Sequence, residues 1–253
     1  MTFDKPRREK KRADQLLVDR GLATSRASAQ ALILAGEVFV DDLRVDKAGT
    51  SLPVDAPLRV RDRNKYVSRG GLKLEGALED LAVAVGDIEA ADIGASTGGF
   101  TDCLLAHGAR RVHAVDVGHG QLAAKLRSDP RVVVLERTNA RTLTPDQLGG
   151  PVDLVVVDAS FISLEKLLPA LFGITRPGGR LLALIKPQFE VGREEATRGA
   201  GVVRDELVRT RAVDKVLAEV DAAGYTRLGD VRCRVAGPKG NVEHFVLARR
   251  PEP

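Results

Sequence analysis

The run Leu154-Val155-Val156-Val157 is apolar at every position, and a strand of that kind needs cover on both faces of its sheet. Further strand-like segments follow the same habit at Val112–Val115, Val132–Leu135, Leu181–Ile185 and Phe245–Ala248, with helical segments between them from Ala90 onward. Strands alternating with helices predict a Rossmann-like, doubly wound α/β sheet. In such a sheet, ligands gather in the crevice outside the carboxyl ends of the strands.

One strand end carries a loop suited to that crevice. In Ala91-Asp92-Ile93-Gly94-Ala95-Ser96-Thr97-Gly98-Gly99-Phe100 a short apolar run breaks into glycine and then opens an apolar helix. Small residues there let the backbone approach a ligand, and the exposed N–H groups favour a negative group nearby. Sixteen residues past Phe100, Val112–Val115 runs into Asp116, an acid placed where such folds hold a ribose. A G-x-G-x-x-G dinucleotide loop needs glycine two and five residues after Gly94, where the chain has Ser96 and Gly99. The order Asp-x-Gly-x-x-x-Gly-Gly-Phe resembles instead the first motif of S-adenosylmethionine-dependent methyltransferases, and a tight structural turn is the plain alternative.

Composition narrows the class. The 253 residues are 43% hydrophobic and 29% charged, with no apolar run near the roughly 20 residues that a membrane helix needs. Residues Met1 to Arg12 are charged and lack the apolar core of a secretory signal, which leads to the expectation of a cytoplasmic protein with no membrane partner. Only Cys103 and Cys233 occur, too few for a disulfide framework, and no metal site is expected. Residues 1–63 carry 13 Lys and Arg against 10 Asp and Glu, so most of the net charge of +4 sits at the N-terminus. Arg7, Arg8, Lys10, Lys11 and Arg12 read as a flexible arm that seeks phosphate, or as a solvated tail.

After the arm, Arg12 to Arg20 reads as a helix ending at Gly21. A second helix starts at Thr24 or Ser25 and ends at Gly36, Val38–Val40 and Leu43–Val45 form a hairpin, and Leu58–Val60 supplies another strand. The hairpin turns on Asp41-Asp42, without the glycine that such turns favour. The order of elements, with Arg12, Asp14, Leu16, Leu17, Gly21, Ser25, Arg26, Gly36 and Val38, resembles a small α+β S4-type RNA-binding domain. That resemblance implies that Arg12 and Arg26, with Lys11 and Arg44, face structured RNA. A helical cap on the larger domain is the plainer reading.

Two of the apolar strands end in charge: Val157 leads to Asp158, and Ile185 to Lys186-Pro187. Neighbouring strand ends converge on the crevice, so Asp158 and Lys186 can meet beside a cofactor or form a structural ion pair. Six segments then point one way: Tyr66 to Leu74, the glycine loop, Glu136 to Arg141, Asp158 to Ser163, Lys186 to Glu190, and Gly240 to Glu243. In fixed order over nearly the whole chain they resemble the TlyA family, which joins an S4-type domain to an FtsJ-like ribosomal RNA 2′-O-methyltransferase domain of the class I fold. Tyr66 stands where some members have tryptophan.

The resemblance implies a tetrad of Lys73, Asp158, Lys186 and Glu243. It also implies transfer of a methyl group from S-adenosylmethionine to a cytidine ribose in small-subunit RNA, large-subunit RNA or both, within ribosomal subunits. On this reading Lys186 takes or steers the 2′-OH proton, Asp158 holds Lys186 in line, and Lys73 and Glu243 orient the hydroxyl and balance charge. Gly94, Ser96, Thr97, Gly98, Gly99 and Phe100 line the methionine end of the cofactor, Asp116 its ribose and Asn139 its adenine edge. Without the resemblance, Lys73 and Glu243 read as solvated surface charges. The expected division is an S4-type domain with its arm over 1–62, a linker over 63–67 and the methyltransferase domain over 68–253, with Phe189 to Arg204 as a mobile loop beside the site. Competing readings are a base-directed enzyme using Cys103 as nucleophile, a non-catalytic ribosome-assembly factor, and a haemolysin, a label some relatives carry.

Overall fold

The computed structural model describes residues 9–60, 65–191 and 201–253, and the chain divides into two compact units, Met1–Arg63 and Asn64–Pro253. Arg7 and Arg8, the first two linker residues and most of the loop after Phe189 lie outside the described residues.

In the smaller unit the chain runs β1 (Lys10–Arg12), α1 (Ala13–Asp19), α2 (Arg26–Leu34), β2 (Val38–Val40), β3 (Leu43–Arg44), β4 (Ser51–Pro53) and β5 (Leu58–Val60). Strand β2 pairs antiparallel with β3 and β5, and β1 with β4. Leu16 and Leu17 of α1 and Leu32 and Ile33 of α2 bury against Val38, Val45 and Leu58. Ser25 caps α2 by accepting the Ser28 N–H at 3.2 Å. The glycine-free hairpin closes because Asp41 adopts φ 52°, a left-handed conformation that Asp tolerates better than most residues.

The described end of the basic arm differs from the expectation of a flexible segment. Lys10–Arg12 is a strand in register with Ser51–Pro53, and the Ala13 N–H donates to Thr50 O at 2.8 Å. Short charged strands suit exposed sheet edges, where lysine discourages pairing with other chains.

The larger unit adds α3 (Arg69–Asp80), β6 (Glu89–Ile93), α4 (Gly99–Ala106), β7 (Arg111–Val115), α5 (Ala124–Arg127), β8 (Val132–Leu135), α6 (Pro145–Leu148) and β9 (Val152–Val157). It continues with α7 (Leu168–Ile174), β10 (Thr175–Ile185), α8 (Pro187–Glu190), α9 (Glu206–Ala222), β11 (Thr226–Arg232) and β12 (His244–Arg249). Among the described residues these strands form one seven-stranded sheet in the order β11-β12-β10-β9-β6-β7-β8. The pairs from β10 to β8 are parallel, while β12 runs antiparallel to both β10 and β11.

The apolar runs alternate between two cores, as a side-chain period of two requires. Leu154, Val156, Leu182, Leu184 and Phe245 pack under Leu74 and Leu78 of α3 and Phe100 and Leu104 of α4. Val155, Val157, Leu181, Ala183 and Ile185 pack under Leu168 and Leu171 of α7 and Val213 and Val216 of α9. The strand order reverses between β6 and β9, so the crevice opens at Ile93 and Val157. Leu104→Ala is expected to cost about 2–5 kcal/mol, whereas Leu34→Ala, at a side chain 89% exposed, should change stability by less than about 0.5 kcal/mol. Denaturant midpoints of the two variants check this.

Candidate active site

The loop after β6 is fixed before any ligand arrives. The N–H groups of Gly94 and Ala95 both donate to Val115 O, at 2.9 and 3.1 Å, and the Asp158 N–H donates to Ile93 O at 2.9 Å. Gly94 has φ 84°, and a Cβ there would lie 2.9 Å from the Asp158 carbonyl, so a larger residue would push β9 away from β6. Asp116 accepts the Ser96 N–H at 2.8 Å and the Gly118 N–H at 2.6 Å, which ties the loop to the end of β7.

Two cavities meet at this point. The first, of about 550 Å³, is lined by Gly94, Ser96, Thr97, Gly99 and Phe100 from the loop side and by Lys73, Asp158 and Lys186 from the other. The second, of about 520 Å³, is lined by Asp116, Asn139, Phe161 and Ile162, and shares Gly94, Ser96, Asp158 and Ser160 with the first. Asn139 also accepts the Arg141 N–H at 3.0 Å and so caps the short turn Ala140–Thr142. Gly98 lines neither cavity. At φ 95° it turns toward the core, where a Cβ would meet Leu126 at 2.3 Å and Leu122 at 2.8 Å, so its smallness serves helix packing.

Four charged side chains from four elements converge beside the first cavity. Lys73 of α3 is 8% exposed and donates to Glu243, which is fully buried ahead of β12, at 2.6 Å. Lys186 follows β10 and is 7% exposed. Its Nζ lies 2.5 Å from Asp158 Oδ1 and donates to Ser160 Oγ at 2.8 Å and to the Asp158 carbonyl at 3.3 Å. Gln188 reaches Glu243 through Nε2 at 3.4 Å. Lysine and glutamate are rarely buried unless paired, and removing one partner of a buried pair typically costs 3–5 kcal/mol.

Asp92, Ser160, Gln188 and Phe161 were not legible as site residues. Asp92 is fully buried on β6; its Oδ2 accepts both the N–H and the hydroxyl of Thr101, while Oδ1 has no partner and the residue borders the first cavity. Burial raises its carboxyl to about 7, against the Thr101 hydrogen bonds that lower it and with the negative charges of Asp158 and Asp116 adding to the rise. Its place at the head of the Asp-x-Gly-x-x-x-Gly-Gly-Phe motif, inside a strand buried on both sides of it, was the available signal. Phe161, at the rim of the second cavity, is 91% exposed, holds φ 63° and touches Phe189 in a tilted pair with ring centroids 5.1 Å apart. Cys103 lines neither cavity; burial pushes its thiol up to about 12, which leaves it a packing residue.

In the smaller unit, Lys10 and Arg12 lie exposed on β1. Lys11 pairs with Asp19 at 2.8 Å, Arg44 with Asp46 at 2.6 Å, and Arg12 and Arg26 share Asp14 at 2.9 and 3.2 Å. Part of the linker is built into the larger unit: Tyr66 is buried with its hydroxyl on Glu75, and the Val67 N–H donates to Asp102 at 2.7 Å. Among the described residues no helix is long and apolar enough to cross a membrane, and no group of three His, Cys, Asp or Glu residues could hold a metal ion.

Residues 66–250 match the FtsJ-like methyltransferase family and residues 11–56 the S4 domain. Over 240 residues, 94% of this chain and 89% of the relative, the sequence is 50% identical to the 16S/23S rRNA (cytidine-2′-O)-methyltransferase TlyA of Mycobacterium tuberculosis. The chain belongs to the TlyA family of FtsJ-like methyltransferases. A further relative, Hemolysin A of Brachyspira hyodysenteriae, is 39% identical over 93% of this chain and all of its own. Among solved structures, a putative hemolysin from Streptococcus thermophilus superposes with a TM-score of 0.74 at 40% identity, covering 98% of this chain and 91% of its own.

The raised Asp92 carboxyl has a sign that can be checked. The folded state holds a proton between pH 3.8 and about 7 that the unfolded chain has released, so its contribution is full below 3.8 and is lost as pH rises through about 7. Asp92→Asn should therefore flatten the pH dependence of Tm between about pH 4 and 7, while parallel wild-type and variant curves would contradict the assignment.

Proposed function

We propose that this TlyA-family chain transfers a methyl group from S-adenosylmethionine to the ribose 2′-OH of a cytidine in ribosomal RNA, with residues 1–62 docking RNA, 63–67 as linker and 68–253 carrying the chemistry. The observation that carries the reading is the convergence of two lysine–carboxylate pairs on the cavity that the glycine loop lines. The name of the Mycobacterium tuberculosis relative, at 50% identity over almost the whole chain, supports the substrate class.

The pocket suits the cofactor. The Gly94 loop borders both cavities without a side chain at Gly94, and the orphaned Asp92 Oδ1 beside the first cavity fits a cationic amino group. Ser96, Thr97, Gly99 and Phe100 would hold the methionine end, Asp116 the ribose and Asn139 the adenine edge, with the second cavity taking the nucleoside. Gly98 acts one step back, by seating α4. When bound, S-adenosylmethionine supplies an electrophilic sulfonium methyl group that needs an in-line approach from the hydroxyl oxygen.

A ribose hydroxyl is a weak nucleophile at neutral pH, so the protein must place it and manage its proton. Lys186 Nζ, held by Asp158 and Ser160, is the group that orients the 2′-oxygen and takes or steers the proton it loses. Lys73 and Glu243 balance the charge beside it and fix the α3 side of the cavity. Phe161, exposed at the rim of the second cavity, offers an aromatic face of the kind on which unstacked bases rest.

The test is transfer of labelled methyl to separated small and large ribosomal subunits that lack the modification, with wild type and Lys186→Ala. Wild type should deliver label to 2′-O-methylcytidine, and Lys186→Ala should lose about 10²–10⁴-fold in rate while calorimetry still detects cofactor binding. Label on a base, or none from the wild type on either subunit, would overturn the reading.

A further inference from the structure

Asp14 is a buried charge that the proposed chemistry does not use. It stands in the first turn of α1, its side chain has no exposed surface, and donors crowd both of its oxygens. Oδ1 accepts Arg12 Nε at 2.9 Å and the Gln15 N–H at 3.0 Å. Oδ2 accepts Arg12 Nη2 at 3.0 Å, Gln30 Nε2 at 3.1 Å and Arg26 Nη2 at 3.2 Å. The Arg12 guanidinium, ahead of Gln30 and Arg26, holds the carboxyl well below the usual carboxylate range despite the desolvation that opposes it.

The arginines that share this carboxylate come from β1 and α2, and both side chains stay just over half exposed, at 53% and 54%. Arg12 is gripped through two nitrogens, a bidentate geometry that fixes the plane of its guanidinium. Arg26 spends one nitrogen on Asp14 and keeps its remaining donors. A free arginine carries roughly 2 kcal/mol of rotamer entropy, and a fork already held in place loses less of it on binding. The cluster of two guanidiniums and one carboxylate keeps a net positive charge.

We propose that Asp14 is a positioning residue for RNA: it fixes Arg12 and Arg26 as one preorganised fork for backbone phosphates, and so strengthens RNA binding although it is itself negative. The inference rests on the proposed rRNA substrate and adds how the smaller unit holds it. The opposite expectation follows from net charge alone, since deleting a carboxylate beside a phosphate site would tighten binding.

The measurement is binding of unmodified small-subunit and large-subunit RNA by the full chain over a series of salt concentrations, for wild type and Asp14→Asn, with thermal unfolding as the control for folding. Asp14→Asn should bind about tenfold more weakly, with the slope of log affinity against log salt shallower by up to about 2, the share of two phosphate contacts. Equal or tighter binding with an unchanged slope would overturn the proposal. Should Asp14→Asn unfold the smaller unit, Arg26→Lys decides, because it keeps the charge and removes one of the two guanidiniums that Asp14 holds: weaker binding with a shallower salt slope supports the proposal and unchanged binding overturns it. A wild type that binds neither RNA would overturn the rRNA reading itself.

Discussion

The register of four neighbouring strands sets everything at this site. Ile93 of β6 lies beside Val157 of β9, Val157 beside Ala183 of β10, and Ile185 of β10 beside His244 of β12. The next residues beyond those apolar ends are Gly94, Asp158 and Lys186, and Glu243 immediately precedes His244. Apolar side chains alternate between two closed cores, so a slip of one residue would exchange the faces of a whole strand. Packing therefore fixes the charged ends to within a narrow range, and helix α3 brings Lys73 across to meet Glu243, 170 positions away.

Burying those charges is costly, and the arrangement limits the cost by pairing each lysine with a carboxylate and adding hydrogen bonds from Lys186 to Ser160 and from Gln188 to Glu243. The same burial makes the site useful, because fixed charges act more strongly where water is scarce. Asp92 is the exception. It keeps an unpartnered oxygen beside the cavity and holds its proton to an unusually high pH. An orphaned carboxyl oxygen at that depth is stabilised by a ligand that gives it a hydrogen-bond partner.

Much of the fold was legible because strands buried on both faces leave uninterrupted apolar runs, as at Leu154–Val157 and Leu181–Ile185. Strand β11, Thr-Arg-Leu-Gly-Asp-Val-Arg, stands at a sheet edge and is largely exposed, so no such run announced it. Strand β1 was hidden inside a basic stretch for the same reason. Asp158 and Lys186 could be read from strand ends, but Lys73 and Glu243 have no local signal: each looks like a surface charge until the fold brings its partner. They entered through family resemblance. Gly98 was read with the cofactor loop, yet its conformation answers to Leu122 and Leu126.

On the proposed chemistry, the two lysine–carboxylate pairs act as one unit on a single hydroxyl group. Single-turnover methyl transfer by Lys73→Ala, Lys186→Ala and the double variant tests it most directly. Groups that act together are strongly non-additive, so the double variant should be slowed no more than about threefold beyond the worse single variant. Losses that multiply across the two sites would show that the pairs work independently and rule out a shared role at one hydroxyl.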